Sequence, residues 1–215
     1  FISLLFIVSC STFDLRRIAP NYYDAYTNIK GSIIGFDDYP ISRKLVDGIP
    51  YASMRLKIGK GSSGLLILEE KQDENFTYLS ADNVRVIIKR GKIVRTSGLD
   101  NNLVNIKEPK NVFEEFLKSN EDEISYYSYL TFDSPLLIDM QTKVSLKKIG
   151  KEEVTILDLK YSLLKLQEKI ENPYLGWKVV NYYWIDPKDN FVWKSQQTVS
   201  PILPIFKYEV TKKPT

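Results

Sequence analysis

From residue 51 onward the chain alternates. In YASMRLKIG, Met54, Leu56 and Ile58 fall on one side and Arg55 and Lys57 on the other, the period of a half-buried β-strand. Gly59, Gly61 and Gly64 supply a turn, and LLILEE and FTYLS read as the next strands, joined by a turn over residues 72–75. VRVIIKRGKIVRT reads as a hairpin with Lys89, Arg90 and Gly91 at its tip, where Gly91 supplies a positive φ. In EPKNVFEEFLKSN the period changes: Val112, Phe113, Phe116 and Leu117 form one apolar stripe, which predicts a helix within 108–120 with Pro109 in its first turn. Alternation resumes near Ile124 with SYYSYLTF, and Asp133, Ser134 and Pro135 turn the chain. MQTKVSLKKIGKEEVTILDL is predicted to be a hairpin turning at 149–151. Residues 157–170 fit a strand through Leu157, Leu159, Tyr161 and Leu163, and LLKLQEKI also fits a helical turn or two; strand is the assignment adopted.

The last third is aromatic. Trp177, Tyr182, Tyr183 and Trp184 lead into IDPKDN, a turn with Asp and Asn at its ends, and FVWKSQQ returns from it. On such a hairpin Tyr182 and Trp184 share one face, Tyr183 looks the other way, and Phe191 and Trp193 share a face. Trp184 and Trp193 are assigned to the core, with a groove lining as the alternative. Pro201 and Pro204 keep the closing segment in a loop or at a sheet edge, and TKKPT reads as a solvated tail. The residues thus predict an antiparallel β protein with one well-marked helix.

The start differs from the rest. FISLLFIVSC is uncharged and nearly all apolar, yet too short to span a bilayer as a helix. Without a starting Met or a basic flank, it reads as the hydrophobic core of a secretory signal whose first residues are missing. Ile7, Val8, Ser9 and Cys10 resemble the bacterial lipobox, in which the cysteine thiol takes a diacylglycerol and becomes the new, acylated amino terminus. Several chains on one residue give stable anchoring. Cys10 is the only cysteine, so no disulfide accounts for it. The expected plan is a signal segment over 1–9 and a lipidated N-terminus and tether over 10–30. The tether includes a short helix through Tyr22, Tyr23 and Tyr26, and an antiparallel β body follows over 31–215.

Composition narrows the chemistry. The chain has no histidine and one cysteine, which excludes a Ser-His-Asp triad, a histidine or four-cysteine zinc site, and an intrachain disulfide. The net charge of +3 is spread thinly, which argues against nucleic acid as a partner. GKGSSG joins strand to strand and lacks the GxxxxGK[ST] pattern, so it is not a phosphate cradle. No metal or cofactor is expected. An enzyme would have to use carboxylates, tyrosine or lysine. For glycoside cleavage the candidates are Asp82, Asp186 and Asp189, of which the last two bracket a turn that explains them more simply.

Four blocks carry a resemblance: Pro50-Tyr51-Ala52-Ser53, GKIVRTSGL, YYWIDP with VWKSQQ, and the closing proline segment with its EVTKKP ending. Their order and spacing, with the lipobox, resemble the group 4 capsule polysaccharide lipoprotein family from about residue 10 to the C-terminus. The resemblance implies an outer-membrane, lipid-anchored, periplasm-facing protein of capsule or exopolysaccharide assembly and export. It also implies a fold of long curved antiparallel sheets forming a partly closed barrel with one or two short helices, and no established catalytic activity. Two departures stand out: Gly91-Lys92 where the family often has glycine-arginine, which would alter a bidentate carboxylate contact, and Tyr78 where the family has tryptophan.

The stretch GKIVRTSGLDNNL over 91–103 then has two readings. Thr96 and Ser97 can bond nearby backbone, Gly98 permits a conformation closed to other residues, and Asp100, Asn101 and Asn102 are turn formers. Alternatively Arg95, Asn101 and Asn102 form part of a glycan or partner surface, to which Trp177 and Trp193 would add stacking faces. The function expected is an accessory lipoprotein, held in the membrane through lipid on Cys10, that binds polysaccharide or capsule export proteins. The alternatives are an envelope-assembly lipoprotein unrelated to polysaccharide and a carboxylate-dependent polysaccharide-modifying enzyme.

Overall fold

Twelve strands pair into one antiparallel sheet that curls into a nearly closed barrel. The computed structural model describes residues 37–214, so Cys10 and the expected tyrosine helix lie outside the described residues. In chain order the elements are α1 (Arg43–Asp47), β1 (Ser53–Ile58), β2 (Gly64–Gln72), β3 (Asn75–Leu79), β4 (Arg85–Lys89), β5 (Lys92–Ser97) and β6 (Leu103–Lys107). Then come α2 (Val112–Lys118), β7 (Glu123–Phe132), β8 (Leu137–Ile156), β9 (Leu159–Asn172), β10 (Trp177–Ile185), β11 (Val192–Gln197) and β12 (Phe206–Lys212). The spatial order is β5-β4-β3-β2-β1-β12-β11-β10-β9-β8-β7-β6. Two meanders are therefore joined by β12, which pairs with β1 on one side and β11 on the other.

That placement corrects the reading of the C-terminus as a tail from Thr211. Thr211 is buried and its hydroxyl bonds that of Ser53 at 2.9 Å, because the last strand links the two meanders. The prolines at 201 and 204 do lie in the loop before it. A second correction concerns residues 137–156, which form one strand and not a hairpin. Gly150 (φ 142) marks a bulge opposite β9, between Lys148 and Gly150, and the chain turns only at Leu157 and Asp158. A glycine inside alternation signals a bulge as readily as a turn. The helix at α2 begins after Asn111 (φ 59), so Pro109 precedes it and is not part of its first turn. At the β4–β5 tip both Arg90 (φ 50) and Gly91 (φ 84) are left-handed, the backbone that a two-residue hairpin needs. A Cβ on Gly91 would lie 2.2 Å from Val192, so no larger residue fits there.

The barrel interior is filled by side chains such as Met54, Leu66, Tyr78, Phe132, Phe206 and Tyr208. Tyr78, where the resemblance implied a tryptophan, is thus a core residue. A second, smaller cluster joins Val154, Ile156, Leu163 and Trp184, with Tyr161, Tyr182 and Trp193 packed on it. Alternation along β10 explains the split: Tyr183 points into the main core and Trp184 into the second cluster. Lys165 and Lys194 lie over the Trp184 ring at 5.1 and 5.3 Å.

Candidate functional site

β5 and β6 are consecutive in the chain but form the two edges of the sheet, with no ladder between them. Unpaired strand edges leave backbone groups that must find partners. Here side chains provide them. Arg95 Nε donates to the Val104 carbonyl at 2.8 Å, and the Leu103 amide donates to Thr96 Oγ1 at 3.0 Å. In the connecting loop, Asn102 Oδ1 accepts from the Leu99 amide (3.1 Å), and its Nδ2 donates to the Leu99 carbonyl (2.9 Å) and to Asp133 (2.8 Å). Asn101 is 2% exposed; its Nδ2 donates to the Ser134 carbonyl at 2.6 Å and its Oδ1 accepts from the Ser200 hydroxyl. Gly98 (φ +84) sits where a Cβ would be 2.8 Å from the Asn83 carbonyl. In GKIVRTSGLDNNL these polar groups staple the barrel shut.

Behind the seam lies a buried charge network. Lys92 Nζ is 2.7 Å from Glu168 Oε1 and 2.8 Å from Glu108 Oε2, so the lysine meets two separate carboxylates in place of one bidentate contact. Glu168 Oε2 accepts from Tyr183 (2.7 Å) and from Asn181 Nδ2 (2.9 Å). Gln197 accepts from the Ile93 amide and donates to the Gly91 carbonyl, each at 2.9 Å. Burial alone would raise the Glu168 carboxyl, but the Lys92 ammonium and the bonds from Asn181 and Tyr183 outweigh it and hold the carboxyl below its ordinary range. Burial alone would lower the Lys92 ammonium, and Glu168, Tyr126 and Glu108 together raise it well above its ordinary value. Phe113 of α2 packs edge-on to Tyr183, with ring centroids 5.4 Å apart. The cavity left beside the network is about 20 Å³, room for about one water and far below a sugar ring. Glu108 and Glu168 are close neighbours across Lys92, but Glu168 has no exposed surface.

Two concave surfaces are open. One, of about 850 Å³, follows the seam between β2–β5 and residues 104–113. The other, of about 430 Å³, lies at the β9–β10 turn, lined by Tyr127, Gln141, Lys143, Glu171, Tyr174 and Trp177 among others. Its floor follows from register: Tyr127 faces Lys143, Lys143 faces Glu171 and Glu171 faces Lys178 across four neighbouring strands. Asn172 shapes the turn by accepting from the Leu175 amide and donating to the Gln141 carbonyl, both at 2.8 Å. Tyr174 is left 90% exposed and Tyr127 58% exposed. Large rings in the open beside amide and charged groups can stack on the apolar face of a sugar while neighbours bond its hydroxyls.

The five residues named as a candidate surface are not brought together. Arg95, Asn101 and Asn102 are at the seam, where their hydrogen bonds run within the fold. Trp177 lines the aromatic cleft. Trp193 is half-buried elsewhere, against Tyr161 (4.6 Å) and Phe191 (5.0 Å). The carboxylates weighed for catalysis sit in turns: Asp82 accepts from Ser80, Asp186 from the Lys188 amide at 3.0 Å, and Asp189 from the Phe191 amide at 3.0 Å. Lys92 was noted only as a departure from the family's arginine, and Glu108, Glu168, Tyr127 and Tyr174 were missed. Glu168 had a readable signal, since it stands between Leu166 and Ile170 on the inward period of its strand. A charge on an apolar face calls for a buried partner.

The family profile described as "Group 4 capsule polysaccharide lipoprotein gfcB, YjbF" matches residues 26–210. The uncharacterized lipoprotein GfcB of Escherichia coli (strain K12) is 25% identical over 77 residues, a stretch that is 36% of this chain and 36% of that relative. The crystal structure of the hypothetical lipoprotein YmcC from Escherichia coli (K12) superposes with a TM-score of 0.73 at 16% identity, covering 89% of this chain and 96% of that one. At that identity the likeness is one of fold.

Proposed function

The chain belongs to the group 4 capsule polysaccharide lipoprotein family, and from that premise we propose that it serves capsule or exopolysaccharide assembly and export by holding glycan rather than by catalysis. Its family place is the outer membrane, lipid-anchored and facing the periplasm. Cys10 is the proposed attachment point, 10–30 the proposed tether and 31–215 the proposed working body. Substituting Cys10→Ser should abolish incorporation of labelled palmitate; equal labelling of both proteins would remove Cys10 from that role.

The observation that carries the binding reading is the aromatic cleft. Tyr174 stands almost fully in solvent on a turn that Asn172 holds in shape, with Tyr127 and Trp177 nearby. A ring kept out of the core contributes little to folding, and base or sugar stacking is what such a ring does well. The test is equilibrium binding of the lipidated protein in micelles to neutral oligosaccharides prepared from the surface polysaccharide. Tyr174→Ala and Tyr127→Ala should each weaken binding roughly tenfold with the melting temperature unchanged. Binding that survives both substitutions would reject the cleft as the glycan site.

A further inference from the structure

We propose that the seam groove is a second site, for a carboxylate-bearing stretch of glycan, with Lys92 as its fixed cation and Glu108 as the internal carboxylate that the ligand displaces. The inference rests on the glycan reading above and names the class of sugar residue at a different place.

The groove opens beyond the Arg95–Val104 staple, where the seam is crossed by Lys92 to Glu108 and by Arg90 to Asn111 and Glu114. Six cationic side chains line it (Lys89, Arg90, Lys92, Arg95, Lys107 and Lys110) against three carboxylates (Glu70, Glu74 and Glu108). Besides Lys92, three of the cations are already engaged: Lys89 with Glu74, Arg90 with Glu74 and Glu114, and Lys107 with Asp139. Arg95 commits Nε to a carbonyl, and neither it nor Lys110 has a carboxylate within ion-pair distance among the described residues. Hydroxyl partners are present as well, in Gln72, Asn75, Thr77 and Asn105. A volume of about 850 Å³ suits several sugar rings.

Lys92 gives the groove its specificity. The residue lines both the groove and the small interior cavity, and its ammonium bridges Glu108 and Glu168. On the inner side Glu168 is 0% exposed and tied by Tyr183 and Asn181, so it stays. On the outer side Glu108 is 24% exposed and can turn into solvent. A ligand carboxylate taking its place leaves the buried charge count unchanged, so no extra desolvation opposes the exchange. The aromatic cleft lacks such a buried cation, because its Lys143 and Lys178 are both exposed.

The experiment titrates the full lipidated chain in micelles with galacturonate hexamer, a neutral galactose hexamer and glutamate hexamer at low salt. The galacturonate hexamer should bind roughly tenfold more tightly than the neutral one, the gain of one charge-assisted contact. Glu108→Gln, which leaves the Lys92–Glu168 pair in place, should raise galacturonate affinity several-fold, and Arg95→Gln and Lys110→Gln should lower it. Tyr174→Ala should lower neutral binding and leave the response to Glu108→Gln intact. Equal binding of the two sugars, or no response to Glu108→Gln and Arg95→Gln, would overturn the seam site without touching the cleft. Galacturonate binding that persists when neutral binding proves absent would reject the cleft alone. Glutamate hexamer binding as tightly as galacturonate would overturn the assignment to glycan.

Discussion

At the seam, Arg95, Thr96, Asn101 and Asn102 direct their polar atoms at backbone groups of the neighbouring strand and loop; at the cleft, Tyr174 and Tyr127 leave theirs to solvent. The two regions hold residue types with equal claims to recognition. What separates them is whether their bonding capacity is already used inside the fold. The seam replaces a missing backbone ladder, so most of its polar groups answer to stability. The cleft sits on a ladder that is already complete, between paired strands, so its rings are available for something else.

The widest gap between the regions should appear at Lys92. Lys92→Met strands the Glu168 carboxylate in the interior, and urea unfolding should show a loss of about 3–5 kcal/mol. Adding Glu168→Leu should recover much of it, since an apolar pair needs no solvation; a double variant as weak as the single one would mean that the pair is not the cause. The pH dependence sharpens the point. Because the folded Glu168 carboxyl lies below its ordinary 4.5, its contribution is full above that value and disappears as pH falls through the lower, folded value. Lys92, raised when folded, contributes below its ordinary 10.5 and loses this only as pH rises through the higher, folded value. In Lys92→Met the sign at acid pH should invert, with stability increasing as Glu168 takes a proton.

Next in size is Trp184→Ala. Its ring is 4% exposed in the second cluster, and truncation should destabilise by about 3 kcal/mol with glycan binding intact at temperatures where the protein stays folded. Unchanged stability with lost binding would move the second cluster to the side of the cleft. Asn101→Ala breaks the Ser134 and Ser200 links, and a loss of about 1–3 kcal/mol is expected on thermal unfolding. A neutral result would mean that the seam is held by Arg95, Thr96 and Asn102 without help from Asn101. The smallest stability effect belongs to Tyr174→Ala, about 0.5 kcal/mol or less, as for other exposed positions. A large loss there would erase the distinction between the two regions.

Much of the fold was legible. Strands β1 to β5 and β7 follow from alternation and from turn residues with a definite backbone role, and Gly91 shows both in its φ of 84 and in its fit against Val192. Strand β8 was misread because Gly150 satisfies the local requirements of a turn and of a bulge alike, and only pairing with β9 on both sides of it distinguishes them. The candidate site was legible in part. Trp177 was named from its aromatic run, whereas Tyr174 was not named at all, because only the folded turn shows that it projects into solvent.

The sequence by itself determined the class of fold, the strand period, the β4–β5 hairpin tip and the family, since these depend on residues within a few positions of one another or on the order of short blocks. The tertiary structure alone decided which polar side chains are occupied. Asn101 meets Ser200 99 residues away, Gln197 meets Gly91 106 away, and Lys92 meets Glu168 across the barrel. A buried polar group must be satisfied wherever a partner can reach it, and sheet closure, which local propensity does not encode, sets that reach.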